Sequence, residues 1–118
     1  MVERLSKSAL QKMMSGKVKE PATIVVKFYS NSCHYCHALK QDYEYVSEEF
    51  PDVLFFAFNI EDYQDASKIL NFEGVPTICK MEVGGTRPRI KVIPEPENPH
   101  KTTWYTRDDI RIFVGGEQ

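Results

Sequence analysis

Two of the chain's three cysteines, Cys33 and Cys36, are separated by only two residues. Thiols at this spacing can close a disulfide when they lie one helical turn apart, because residues three apart are then neighbours on one face of the helix and a small adjustment brings the two sulfurs together. The pair could also supply half of a metal site, and together with His37 it matches the Cys-x-x-Cys-His pattern of haem attachment. Three cysteines are too few for a secreted disulfide scaffold, so the spacing favours redox or metal chemistry, and we prefer redox chemistry.

The elements around the pair predict that it lies where a buried strand passes into a helix. Residues 23–29 are apolar and rich in β-branched side chains, which is typical of a buried strand. Four apolar residues then recur at helical spacings of four and three: Leu39, Tyr43, Val46 and Phe50. A helix over about 33–50 would place Cys33 at its start, where unpaired amides and the helix dipole favour a thiolate. Cys33 is therefore the expected nucleophile, and Cys36 is the expected resolving thiol.

The rest of the sequence predicts the order helix, strand, helix, strand, helix, hairpin, helix. Ser6 can cap a short first helix that ends near Gly16. Residues 52–60 contain the run Val-Leu-Phe-Phe-Ala-Phe, which is apolar at odd and even positions alike. Such a run has apolar side chains on both faces of a strand, which indicates a central and parallel strand. A further helix follows near residue 66, and the last helix opens at Thr106.

The segment after Gly74 predicts an antiparallel hairpin with strands at about 77–83 and 88–93. Alternation in the first strand places Cys79 on the buried face and Ile78 on the half-exposed face, so we expect Cys79 to be a buried, inert thiol. The three prolines of residues 94–100 predict a loop with no specific role. Trp104, which follows this loop, is assigned to packing.

Three motifs in this order resemble the thioredoxin superfamily. They are a strand ending Phe28-Tyr29 before Cys-x-x-Cys, the run Phe56-Ala57-Phe58-Asn59-Ile60-Glu61, and the loop Gly74-Val75-Pro76-Thr77. The lead-in and residues 38–43 are similar to protein disulfide isomerase domains in particular. The resemblance covers about residues 2–115. It implies an α/β thioredoxin fold, with a single central mixed β-sheet flanked by helices in one domain over 1–118. It also implies that Pro76 is cis beside the cysteine pair, and that Val75 and Pro76 shape a client-docking surface.

The chain departs from the family pattern around the cysteines. Ser32 stands where a tryptophan is usual, and His34 and Tyr35 form the dipeptide between the cysteines. Lys27 occupies the position, six before Cys33, where the family often buries a carboxylic acid. Near Cys36, a Lys27 ammonium would favour the thiolate and a neutral Lys27 amine could accept a proton, although the side chain could also extend to the surface. His34 could add positive charge beside Cys33.

Composition limits the classes of partner. The net charge of −2 gives no electrostatic case for nucleic acid or membrane binding, and no run approaches the length of an apolar membrane span. The first residues lack the apolar core of a signal peptide, so we expect a cytoplasmic location. An oxidising compartment would remain possible if this chain were part of a longer one. We expect a monomer that needs no metal or organic cofactor.

These observations predict a thiol–disulfide oxidoreductase that reduces, forms or exchanges protein disulfides. Its partners would be protein clients carrying disulfides or dithiols, and a redox partner that restores the cysteine pair. The alternative is a redox-inactive adaptor with the same fold, which the departures at Ser32, Lys27 and His34-Tyr35 favour. A metal-bridged dimer through Cys33 and Cys36 is a third interpretation.

Overall fold

The computed structural model describes residues 1–116, and the predicted domain also includes Glu117 and Gln118, which lie outside the described residues. The strands are β1 (Val2–Arg4), β2 (Ala22–Tyr29), β3 (Val53–Asn59), β4 (Thr77–Val83) and β5 (Arg89–Val92). The helices are α1 (Lys7–Met14), α2 (His34–Glu49), α3 (Ala66–Leu70) and α4 (Arg107–Gly115), with a short 3-10 helix at Ile60–Asp62. Within residues 1–116, no helix is both long enough and apolar enough to cross a membrane.

The five strands form one mixed sheet in the order β1-β3-β2-β4-β5. Strand β3 runs parallel to both β1 and β2, whereas β4 is antiparallel to β2 and β5 is antiparallel to β4. The predicted mixed sheet with flanking helices is therefore confirmed, and so is the parallel, central position of β3. Strand β1 was not predicted, because three residues ending in the charged pair Glu3-Arg4 carry no readable alternation.

Each face of the sheet is covered by a separate group of apolar side chains. On one face, Leu10 of α1 and Leu70 of α3 belong to a cluster that includes Val26 of β2. On the other face, Leu39 of α2 and Ile110 of α4 belong to a cluster with Val25, the neighbouring residue of β2. Consecutive buried residues of β2 thus point to opposite faces of the sheet, each covered by its own pair of helices. The packing of α2 on one face places its first turn just beyond the end of β2.

One local prediction is wrong. Ile78 was assigned to the half-exposed face of β4, but its side chain is fully buried in the cluster that α2 and α4 cover. Lys80 and Glu82, which share its face, are partly exposed, so the face is buried only where the helices reach it. The expected helix start at about Cys33 is confirmed, because α2 begins at His34 and Cys33 is its N-cap residue.

Candidate active site

The two cysteines of the motif form a disulfide across the first turn of α2, with their Cα atoms 5.2 Å apart. Cys33 has extended backbone geometry, and its sulfur accepts a hydrogen bond from the Cys36 backbone N–H at 3.0 Å. Such a donor stabilises a thiolate better than a neutral thiol. Cys33 is half-buried, whereas Cys36 is only 2% exposed, so an incoming molecule can reach the sulfur of Cys33 far more easily.

The loop before β4 lies directly against the disulfide. The Val75–Pro76 peptide bond is cis, as the resemblance implied. The Val75 carbonyl oxygen lies 3.7 Å from Cys33 Sγ, and the Thr77 hydroxyl donates to the Gly74 carbonyl within the same loop. Cys33 therefore meets the Val75-Pro76 pair, more than forty residues away in sequence, beyond the end of β2 and the start of β4.

Lys27 is buried on the same side of the sheet as Cys36, and its side chain does not extend freely into solvent. Only 4% of the accessible surface of Lys27 is exposed, and the residue lines a cavity of about 360 Å³ together with Cys36. The Lys27 ammonium sits 5.1 Å from the centre of the Tyr43 ring. Burial, reinforced by the neighbouring positive charge of Lys40, lowers the pKa of Lys27 from 10.5 to about 8, although Glu44 partly opposes this change.

The two residues between the cysteines lie on the outer side of the site. His34 is exposed, and Tyr35 retains 37% of its accessible surface. The Tyr35 ring meets Trp104 in an edge-to-face contact with centroids 5.2 Å apart. The backbone of Trp104 has a φ of 67°, and its N–H and carbonyl exchange hydrogen bonds with His100, both at 3.0 Å.

The sequence assigned Trp104 to packing but gave it no partner, so its contact with Tyr35 of the cysteine motif was not predicted. The signal that could have indicated it is weak, since Trp104 is the only tryptophan of the chain and follows an extended proline-rich loop.

The third cysteine lies outside the site. Cys79 is fully buried among the apolar side chains of the α1 and α3 layer, as expected. Burial raises the pKa of its thiol to about 12. In the part of the chain that the structure describes, no three His, Cys, Asp or Glu side chains are grouped to hold a metal ion.

Known proteins resemble this chain in sequence and in fold. The family model described as Thioredoxin matches residues 2–98. A thioredoxin from Mycoplasma genitalium is 26% identical over 91 residues, which cover 71% of this chain and 85% of that protein. Among solved structures, chloroplastic thioredoxin z is 22% identical with a TM-score of 0.66, over 98% of this chain and 92% of that one. The J-Trx1 fragment of ERdj5 is 17% identical with a TM-score of 0.66, over 98% of this chain and 49% of that one. At these identities the two solved structures show a common fold.

Proposed function

Because this chain belongs to the thioredoxin family, we propose that it is a thiol–disulfide oxidoreductase acting on protein clients through Cys33 and Cys36. The observation that carries the proposal is the asymmetry of the bonded pair. One sulfur is accessible and accepts a backbone N–H at a helix start, and the other is covered. This is the arrangement that a nucleophile and a resolving thiol require.

In the reducing direction, the Cys33 thiolate attacks one sulfur of a client disulfide. A Cys33–client disulfide forms, and the second client sulfur leaves as a thiolate. Cys36 then loses its proton and attacks Cys33 Sγ, which releases the first client sulfur and forms the Cys33–Cys36 bond. Two electrons pass from the pair to the client, and the reverse sequence would oxidise a client dithiol. A redox partner, itself a dithiol or a disulfide, would restore the starting state.

Lys27 is the proposed proton acceptor for Cys36. With a pKa of about 8, roughly a tenth of Lys27 is a neutral amine at pH 7. The cavity shared by Lys27 and Cys36 supports proton transfer between them, directly or through water. Once protonated, the ammonium would stabilise a Cys36 thiolate.

His34 and Tyr35 are proposed to act on the outer side. A protonated His34 would favour the Cys33 thiolate, stabilising the dithiol and making the disulfide more oxidising. Tyr35 with Trp104, and Val75 with Pro76, would border an extended client segment on either side of Cys33. We further propose that the protein works as a monomer in the cytoplasm.

The experiment that tests the function is covalent trapping of a client. Cys36→Ser should stop the reaction halfway and accumulate a client disulfide-bonded to Cys33, visible as a new band on a non-reducing gel. Cys33→Ser should trap far less, because the remaining Cys36 is covered. Cys79→Ser is the matched control for loss of a thiol and should turn over as the wild type does.

The adaptor alternative predicts a different gel. If Cys36→Ser traps no more than Cys33→Ser does, the resolving role is wrong and a redox-inactive binding module becomes the better interpretation. If Cys79→Ser also changes trapping, the third cysteine belongs to the reaction.

A further inference from the structure

Three neighbouring strands bring two cationic side chains to the same side of the sheet. In the parallel pairing, Arg4 of β1 and Lys27 of β2 are both partners of Ala57 in β3. Adjacent strands lie about 4.8 Å apart, so the two basic residues leave the sheet about 10 Å from each other. The small side chain of Ala57 leaves the space between them open.

Helix α2 lines this space from the opposite side. Cys36, Lys40 and Glu44 follow one another at intervals of four residues, so they lie on one face of the helix. All three line the cavity of about 360 Å³ that Arg4, Lys27 and Ala57 line from below. The volume falls in the range of small-ligand sites.

The charges around this cavity do not balance. Arg4, Lys27 and Lys40 carry three positive charges at neutral pH against the single negative charge of Glu44, which leaves a net charge of about +2. Among residues 1–116, the ion pairs of the structure include none of these four residues. Lys27 is 4% exposed and forms no direct ion pair, and the one carboxylate of the cavity, Glu44, offsets only part of the positive charge, so an anion bound here would lower the free energy of keeping Lys27 charged.

We propose that this cavity is a binding site for a small oxyanion carrying two negative charges, of the class of inorganic phosphate or sulfate. Such an ion matches the excess charge. The guanidinium of Arg4 can bind two of its oxygens side by side, and the ammonium groups of Lys27 and Lys40 can each donate to another. The site lies next to Cys36, but it does not depend on the proposed redox function, and it can be tested without any turnover.

The test is a calorimetric titration of the disulfide form with sodium phosphate at pH 7, with sodium chloride keeping the ionic strength constant. We expect saturable binding of one phosphate per chain. Amide chemical shifts should change most at Ala57 and Cys36. Arg4→Gln should weaken binding about tenfold or more, because it removes charge-assisted hydrogen bonds. Arg89→Gln is the matched control, since its side chain is 80% exposed on β5, and it should leave the affinity unchanged.

A second variant removes the space and keeps every charge. Ala57→Leu should fill the gap between Arg4 and Lys27 and abolish binding, with circular dichroism and thermal unfolding used to confirm that the variant folds. Sulfate should compete with phosphate for the site, and succinate, which carries its two charges on separate carboxylates, should compete poorly. The proposal is overturned if phosphate binding does not saturate, if Arg4→Gln and Arg89→Gln bind alike, or if the shifts centre elsewhere.

Discussion

Replacing Lys27 with methionine should change the pH dependence of stability in a way that replacing an exposed lysine would not. Methionine is also unbranched and of similar length, so it can fill the same space without a charge. At pH 7 the Lys27 amine of the wild type is mostly protonated, although Lys27 is only 4% exposed to solvent. We therefore expect Lys27→Met to have the higher free energy of unfolding at this pH.

The size of the effect follows from the pKa. Lowering the Lys27 pKa from 10.5 to about 8 corresponds to about 3 kcal/mol, at about 1.4 kcal/mol for each pKa unit. Between pH 8 and 10.5 the unfolded chain binds more protons at Lys27 than the folded chain does, so the stability of the wild type rises with pH in this window. Below pH 8 the penalty is fully present, and above pH 10.5 it is absent. The advantage of Lys27→Met should thus shrink by about 3 kcal/mol between these limits.

Cys79 contributes with the opposite sign. Burial raises its pKa from 9.0 to about 12, so above pH 9 the unfolded thiol loses its proton while the folded one keeps it. Stability is therefore lost as pH rises from about 9 to 12. This loss is the same in the wild type and in Lys27→Met, so the difference between the two proteins isolates Lys27.

The assay is denaturation by urea at a series of pH values from 7 to 10.5, with the disulfide intact and in buffers free of phosphate and sulfate. Lys12→Met, at an exposed position of α1, is the control. Its difference from the wild type should stay within about 0.5 kcal/mol and should not vary with pH. If the difference between Lys27→Met and the wild type is equally flat, Lys27 is not desolvated, and the argument for a proton acceptor at this position is lost with it.

Two further predictions concern the support of the site. Tyr43→Phe should lower the free energy of unfolding by about 1–3 kcal/mol. The reason is that the buried Tyr43 hydroxyl donates to the Phe56 carbonyl at 2.7 Å and lies 3.2 Å from the Val25 carbonyl oxygen. An unchanged denaturation midpoint would contradict this prediction. Cys79 should resist alkylation by iodoacetamide in the reduced native protein at pH 8 and react only after unfolding, as followed by mass spectrometry; labelling of Cys79 as fast as Cys33 would show that its burial is wrong.

Local physics explains which parts of the site could be predicted from the sequence. The spacing of Cys33 and Cys36 and the helical periodicity behind them involve residues within one or two turns of each other, so the sequence alone indicates a thiol pair at a helix start. The burial of Cys79 followed in the same way from alternation along β4. The cis Pro76 was available only through resemblance, because nothing in the neighbouring residues requires it.

The tertiary structure decided what depends on contacts between distant segments. A lysine in an apolar strand can extend to the surface or remain buried, and only the packing of α2 over β2 determines that Lys27 faces Cys36. Strand β1 exists through its pairing with β3, about fifty residues away, and this pairing brings Arg4 level with Lys27. Trp104 reaches Tyr35 because the loop before α4 folds back, and no periodic pattern encodes that return. The sequence therefore determined the thiol pair and its helix, whereas the charges and aromatic rings around it were set by long-range packing.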